Sequence, residues 1–555
     1  MASPQRANET ASGFYLRAIR LARRVRLRDI WGGTMNSDEG SGPSVTTSRS
    51  DQGRLESESS SDEDYDPNDS ECELEQDVCP EDDERIPFQR EPTLSDDSKC
   101  TAPLNHDIFQ TTKVGVSAST IYSKFGTSDK YGMVSTLAML SGRELNVSKL
   151  GRWSTAECRH MAARYLPEDS PCVIDSESSR VYVGRFSSDG SLFVGGFQER
   201  HVRIYNVDKT WSVKKDIIAR HLRWTVTDTA LSQDQRFLIY ATISPIVHLV
   251  NVGNESGVAS LANITDIHEG LDFSMEPFGE YSLGLYSVQF SHDGNEIVAG
   301  SNKNSIYVYD LEANKPTLCL QAHKDDVNAV TYADESCHLL FSGSDDHTCK
   351  VWDRRCLMSR ARPAGVLVGH FEGITFIDSR GDGRYFISNG KDQTIKLWDI
   401  RKMSSSTTAS KSKGKRIPSY SWDYRWMDYP GVGKDIKHPF DQSLMTYKGH
   451  RVLRTLIRCY FSPMFTTGQK YIYTGSHDGC VYIYDVLTGR CAGKLGYHQS
   501  TVRDCSWHPF FPKLVSSSWD GKIVAWDNVH GECIGDRRIS RQSINIVHMD
   551  MYDSD

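Results

Sequence analysis

The chain has 555 residues, 38% of them hydrophobic and 10% aromatic, with 64 Lys plus Arg against 73 Asp plus Glu and a formal net charge of −9. That apolar content supplies a sizeable core and excludes a wholly disordered or collagen-like chain. The charge is uneven: residues 51–100 hold 19 acids and four bases, a net of −15, so the rest carries +6 and an acidic segment precedes a mildly basic body.

In chain order, residues 1–35 are a basic leader in which Phe14 to Arg28 is Arg-rich and nearly acid-free. Such a segment has the composition of an organelle transit peptide. Met35 can equally serve as the start, which makes 1–35 an upstream extension, and organelle targeting is not expected. Residues 36–110 are rich in Ser, Asp, Glu, Pro and Gly, with too little apolar surface to offset the entropy of ordering, and are expected to stay disordered. Within them Ser61 precedes Asp62-Glu63-Asp64, the setting of an acid-directed phosphosite. Residues 111–170 read as a partly helical leader. There Ser154-Thr155-Ala156-Glu157 forms a capping box for a helix through Leu166 that stops at Pro167.

Two further features bound the class. The stretch Phe237 to Asn254 is free of Asp, Glu, Lys and Arg, but it contains Pro245, His248 and two Asn, and reads as two buried strands, not a membrane span. The fourteen cysteines include no C-x-x-C pair and no Cys/His cluster of zinc-like spacing, so reduced thiols and no metal are expected. No secretory signal opens the sequence, and the expected location is nucleus and cytoplasm.

From residue 181 the sequence repeats. Four units run from a His to an aromatic-Asp pair: His323 to Trp352-Asp353, His370 to Trp398-Asp399, His450 to Tyr484-Asp485, and His498 to Trp526-Asp527. In each, an Asp (Asp346, Asp392, Asp478, Asp520) stands six residues before the aromatic. The spacing fits a tight turn whose Asp accepts from the turn backbone and from the His, which in turn bonds a strand Ser or Thr and the indole N–H. These histidines are read as structural. Three weaker units end at Asn206, Asn251 and Asp310 and carry Glu199, Ser244 and Lys303 at the turn position, so their hydrogen-bond clusters are incomplete. Removing a 47-residue insertion at 402–448 leaves about 43 residues per unit, inside the range of roughly 40–45 for a four-stranded blade. The pattern resembles the WD-repeat family. It implies an all-β fold, a seven-bladed β-propeller over 171–537 closed by residues near 172–180 or 530–537, with a C-terminal tail at 538–555.

No phosphate loop, G-x-S-x-G, H-E-x-x-H or paired catalytic carboxylates appear, so neither an enzyme nor a bound cofactor is expected. Two neighbouring units supply a sharper feature. Trp352-Asp353-Arg354-Arg355 and Trp398-Asp399-Ile400-Arg401 both read W-D-x-R, placing Arg355 and Arg401 just past the same strand of adjacent blades. Two forked guanidiniums on one face suit an acidic or carbonyl-rich partner surface, whereas the bland alternative is that each only bridges to its own Asp. The paired boxes, with Ser388 to Arg401, Ser421 to Trp426 and Ser516 to Gly521, resemble cullin-4-associated substrate receptors of the eleventh-factor type in their plant-like branch. That resemblance implies a non-catalytic receptor that docks on the damaged-DNA-binding adaptor of a cullin-4 ubiquitin ligase through Trp352, Asp353, Arg355, Trp398, Asp399 and Arg401 and presents unidentified protein substrates. The 154–166 helix sits where such receptors add an adaptor-inserting element, or else packs as a lid. The competing class is a scaffold in a nuclear chromatin or RNA-processing complex; membrane association is not expected, and the acidic segment disfavours nucleic acid. The insertion, placed between blades 5 and 6, carries the basic run Lys411 to Arg416 and an aromatic cluster, Tyr420, Trp422, Tyr424, Trp426 and Tyr429, expected to pack on those blades.

Overall fold

The computed structural model describes residues 170–208, 210–253, 267–275, 283–357, 362–405, 422–430 and 438–527, with short pieces at 144–145 and 165–167. The basic leader, the acidic segment with Ser61, the 154–166 helix, the Lys411 to Arg416 run and the C-terminal tail lie outside the described residues, Tyr165 and Leu166 excepted.

Among the described residues, twenty-eight strands form seven antiparallel four-stranded sheets. In six of them the strands are consecutive, so each sheet is a meander and each meander is one blade. The blades span 181–218, 226–272, 285–321, 327–368, 374–448 and 459–496. The seventh combines 502–527 with Pro171–Ser176, which pairs antiparallel with Lys522–Asp527 from Pro171↔Trp526 to Ser176↔Lys522. The first strand thus completes the last blade, and the N-terminal of the two closing segments is the one that does so. Each inner strand packs on the inner strands of both neighbouring blades, which closes the ring.

Burial explains the sequence pattern. Inner strands are covered on both faces, and Val327–Tyr332 is buried throughout, so they carry apolar and small residues without alternation. Outer strands have one wet face and alternate, as in Lys315–Gln321. Blades approach so closely that a Cβ on Gly300 or Gly475 would lie 2.8 or 2.1 Å from the Val327 or Val502 carbonyl oxygen of the next blade. Phe341 and Phe386 stack at 4.5 Å between blades 4 and 5, both fully buried.

At the axis the blades are tied by charge. Arg458 of blade 6 reaches Asp228 of blade 2 at 2.8 Å and Asp504 of blade 7 at 3.2 Å, and donates to the Thr227 carbonyl. Arg503 donates to the carbonyls of Tyr182 and Thr227. Burial and the neighbouring Arg458 pull Arg503 down to about 10. The channel is therefore crossed at the level of these side chains.

One boundary differs from the sequence reading. The outer strand of blade 5 is Met445–Lys448, so the insertion leaves that blade between its third and fourth strands, not between blades 5 and 6. The repeat ends in sequence at aromatic-Asp, the end of a third strand, whereas the blade ends one strand later.

Each blade runs from inner to outer strand. Hence inner-to-second and third-to-outer loops emerge on one face, and second-to-third hairpins with blade-to-blade connections on the other.

Candidate functional site

The W-D-x-R boxes stand on polar clusters that fix the third strands of blades 4 and 5. In blade 5, His370 Nδ1 lies 3.0 Å from an Asp392 carboxylate oxygen and Nε2 lies 2.6 Å from Ser388 Oγ, which also accepts from the Trp398 indole at 2.7 Å. Asp392 further accepts from the backbone of Phe371 and Thr394. Burial pushes its carboxyl up, but the pairing with His370 outweighs burial and holds it well below the usual carboxylate range. Blade 4 repeats the set with His323, Asp346, Ser342 and Trp352, and blade 7 with His498, Asp520, Ser516 and Trp526.

Blade 6 departs from it. His450 Nδ1 meets the Tyr484 hydroxyl at 3.2 Å and Nε2 meets Asn389 Oδ1 of blade 5 at 3.0 Å. Asp478 instead accepts from the Tyr482 hydroxyl at 2.7 Å and from Lys494. The expected His450–Asp478 pair is not formed. The reason is the aromatic: Tyr484 brings a hydroxyl where the other three blades bring an indole, and that hydroxyl occupies the His.

The box arginines follow from the strand ends. After Asp353 the backbone enters a short helical turn, Arg354–Leu357, and after Asp399 a 3-10 turn, Ile400–Lys402, capped by the Asp399 side chain. In both, the Asp accepts from the backbone N–H of the Arg two residues on, at 3.0 Å. The same carboxylate then takes the guanidinium side-on. Arg355 donates from Nε and Nη2 at 2.9 and 2.8 Å to Asp353, and Arg401 at 3.2 and 2.8 Å to Asp399. The Arg355 hydrogen bonds hold the Asp353 carboxyl below its ordinary value. The side chains of Arg355 and Arg401 remain 63% and 57% exposed. Each arginine is thus held in one rotamer by its own Asp while its outer edge faces water. The bridge set out as the bland alternative exists, and it orients the arginine.

The two turns are joined. Val366 of the blade 4 outer strand and Ser404, beyond the second box, exchange N–H···O bonds of 2.9 Å in both directions. Gln442 donates to the Lys402 carbonyl and accepts from Val368 N–H. Both boxes therefore lie on one face with tethered connections.

Three of the six side chains read as a docking set are buried: Trp352 and Trp398 are 1% and 0% exposed with their indoles spent inside the blade, and Asp399 is 2% exposed. Asp353 keeps 20% of its side chain exposed and is bound to its own Arg355. The two aspartates orient the arginines. Sequence reasoning missed Arg384, which stacks over the Tyr385 ring at 4.5 Å and lies 3.2 Å from Asp399, adding a third cation beside the second box. Its signal is the Arg preceding the second strand of blade 5, visible only once that strand is paired with Asp399 through Tyr385.

Trp422-Asp423-Tyr424-Arg425 also reads W-D-x-R and, although it follows no blade strand, has the same local geometry. Arg425 N–H, Nε and Nη2 all donate to Asp423. It lies on the opposite face: Lys391, beside the blade 5 hairpin, sits 4.0 Å over the Tyr424 ring, and Arg454, in the connection to blade 6, donates its N–H to the Tyr424 carbonyl. Of the aromatic cluster as described, Tyr424 lies under Lys391 of blade 5, Trp422 and Tyr429 pack edge-to-face on each other at 5.1 Å, and Trp426 is left 62% exposed.

A family model described as "WD domain, G-beta repeat" matches residues 278–310, 314–353, 361–399, 441–485 and 489–527. The chain is 59% identical over 426 residues to the LEC14B protein of Lithospermum erythrorhizon, covering 76% of this chain and 89% of that one. It is 58% identical over 423 residues to the LEC14B homolog of Prunus armeniaca, covering 76% and 88%. It is 36% identical over 363 residues to the DDB1- and CUL4-associated factor 11 homolog of Caenorhabditis elegans, covering 64% and 62%. The chain belongs to the WD-repeat family of the LEC14B proteins.

Proposed function

We propose that this protein is a non-catalytic substrate receptor of a cullin-4-type ubiquitin ligase, docking on the DDB1-type adaptor through Arg355 and Arg401 and presenting other proteins for ubiquitylation. The observation that carries the reading is the pair of arginines on neighbouring blades, each pre-set by a bidentate bond to its own Asp on tethered turns. Pre-setting lowers the rotamer entropy lost on binding, so a rigid fork suits carbonyl or carboxylate recognition better than a mobile lysine. The name of the Caenorhabditis elegans relative supplies the partner. The same face also exposes Phe465 and Phe510, whose rings lie 5.5 Å apart on the inner-to-second loops of blades 6 and 7, an apolar patch of the kind that marks interaction sites. The opposite face, with Arg425 and exposed Trp426, is left for substrate.

Arg355→Glu with Arg401→Glu reverses both charges beside their own aspartates. Recovery of the adaptor in a pull-down is expected to fall to background while the thermal melt stays cooperative; undiminished recovery overturns the reading. The receptor works in nucleus and cytoplasm on this proposal, and a fluorescent fusion confined to another compartment counts against it.

A further inference from the structure

The inner strands of blades 1 to 5 are each six residues long, and their pairing puts the fifth residue of each at one level of the channel: Arg185, Ala230, Gln289, Thr331 and Asp378. These five line a cavity of about 370 Å³ that opens among the inner-to-second loops, on the box face. Its lining includes none of the residues of the Arg458 crossing. The volume lies at the low end of small-ligand sites, enough for one polar group and its stem.

Three guanidiniums stand in the channel. Those of Arg458 and Arg503 are spent on Asp228, Asp504 and backbone carbonyls. The Arg185 guanidinium is enclosed beside Tyr460, Asp228, Arg458 and Asp378 and, among the described residues, makes no hydrogen bond or ion pair, so its N–H groups remain unspent. Asp378, at the same level, accepts from Phe461 N–H at 2.8 Å through one oxygen and, among the described residues, forms no ion pair with Arg185. Burial lifts its carboxyl to about 7, against the pull of Phe461 N–H and Arg185, so at neutral pH it carries only part of a counter-charge. Asp334 and Glu335 at the rim repel multiply charged anions.

We propose that this cavity is a binding site for a single carboxylate, held side-on by the Arg185 fork. One planar monoanion matches one guanidinium bidentately. A phosphate dianion would face one cation and three acidic side chains. The carboxylate can come from the C-terminus of a polypeptide, from an acidic side chain or from a small free acid. Neither Arg355 nor Arg401 lines the site, so small probes test it separately from adaptor docking.

The test uses the full-length protein and three monocarboxylate probes: acetyl-glycine for a polypeptide end, acetyl-glutamate amide for a side chain, and acetate for a free acid. Ligand-observed NMR titration, with inorganic phosphate as the counter-probe, reads binding. Saturable binding of at least one carboxylate is expected, about tenfold weaker in Arg185→Gln and more weakly reduced in Arg185→Lys, which keeps the charge and loses the fork. Asp378→Asn is expected to bind at least as tightly as the native protein. The tightest probe identifies the source. Failure of all three to saturate, equal affinity in Arg185→Gln, or phosphate binding as tightly as the carboxylates overturns the proposal. If Arg185→Gln does not melt cooperatively, unchanged affinity in Arg185→Lys overturns it instead.

Discussion

Blades 5 and 6 bury a histidine at the same place and satisfy it in different ways. In blade 5, His370 is fixed between Asp392 and Ser388 within its own blade. In blade 6, His450 turns to a tyrosine hydroxyl and to Asn389 of the neighbour. The fold requires that the buried imidazole find partners, not that the partner be aspartate. Blades 1 and 2 extend the lesson. Arg203 gathers Asp175, Glu177 and Asp216 in one, and in the other His268 bonds the Tyr240 hydroxyl at 2.6 Å while His248 stacks against His221. The two regions also differ in what they carry: both boxes follow complete clusters of the blade 5 kind.

The contrast breaks most severely at the axis. Arg458→Met strands Asp228 and Asp504 without their cation, and a loss of about 3–5 kcal/mol in denaturant unfolding is expected, with the free energy read at the midpoint and its slope. A loss under about 1 kcal/mol would mean the crossing is not structural.

Next, Asp392→Ala leaves His370 Nδ1 and two backbone N–H groups unpaired inside the blade and should cost about 3 kcal/mol, whereas Asp478→Ala frees the Tyr482 hydroxyl, the half-exposed Lys494 and one backbone N–H and should cost about 1 kcal/mol. Equal losses in the two variants would erase the distinction between the blades.

The two blades should also separate in acid. Burial holds His450 down to about 4, so it is neutral in the fold while the unfolded state takes up a proton below roughly 6.5. The unfolded state then binds more protons, and stability falls as pH drops from about 6.5 to 4, by up to about 3 kcal/mol. Asp392, held below its ordinary value, contributes stability above about 3.9 that is lost only as pH falls further. His450→Gln should flatten the first limb and leave the second; an unchanged slope between pH 6.5 and 4 would contradict the assignment.

The smallest effect lies in the blade 4 hairpin. His347 follows the turn Asp at φ 64, where Gly479 and Gly521 serve blades 6 and 7. His347→Gly should raise stability by about 0.5–1 kcal/mol, read as a higher melting temperature. A lower one would show that the imidazole makes an unsuspected contact.

Much of this was legible in the sequence because the repeat encodes local chemistry. A turn Asp six residues before an aromatic dictates a hairpin in four units, and three weaker units of similar length bring the count to the seven that dictate a ring. What escaped was set by non-local partners. The spacing of Asp478 and Tyr484 is normal, and nothing in it says that a hydroxyl will reach the histidine that an indole cannot hold. The boxes were legible as a motif, but the burial of Trp352, Trp398 and Asp399, which leaves Arg355 and Arg401 as the most exposed members, was not. Arg185 and Asp378 lie 193 positions apart and become neighbours only through the common register of the inner strands.

The central claim is that two pre-set arginines on one face dock the adaptor. The direct measurement is the stoichiometry of adaptor and cullin recovered with affinity-purified full-length protein, native against Arg355→Glu/Arg401→Glu. Near-equimolar recovery with the native protein and background recovery with the folded variant is the predicted result. Equal recovery by both, or none with the native protein, would contradict it.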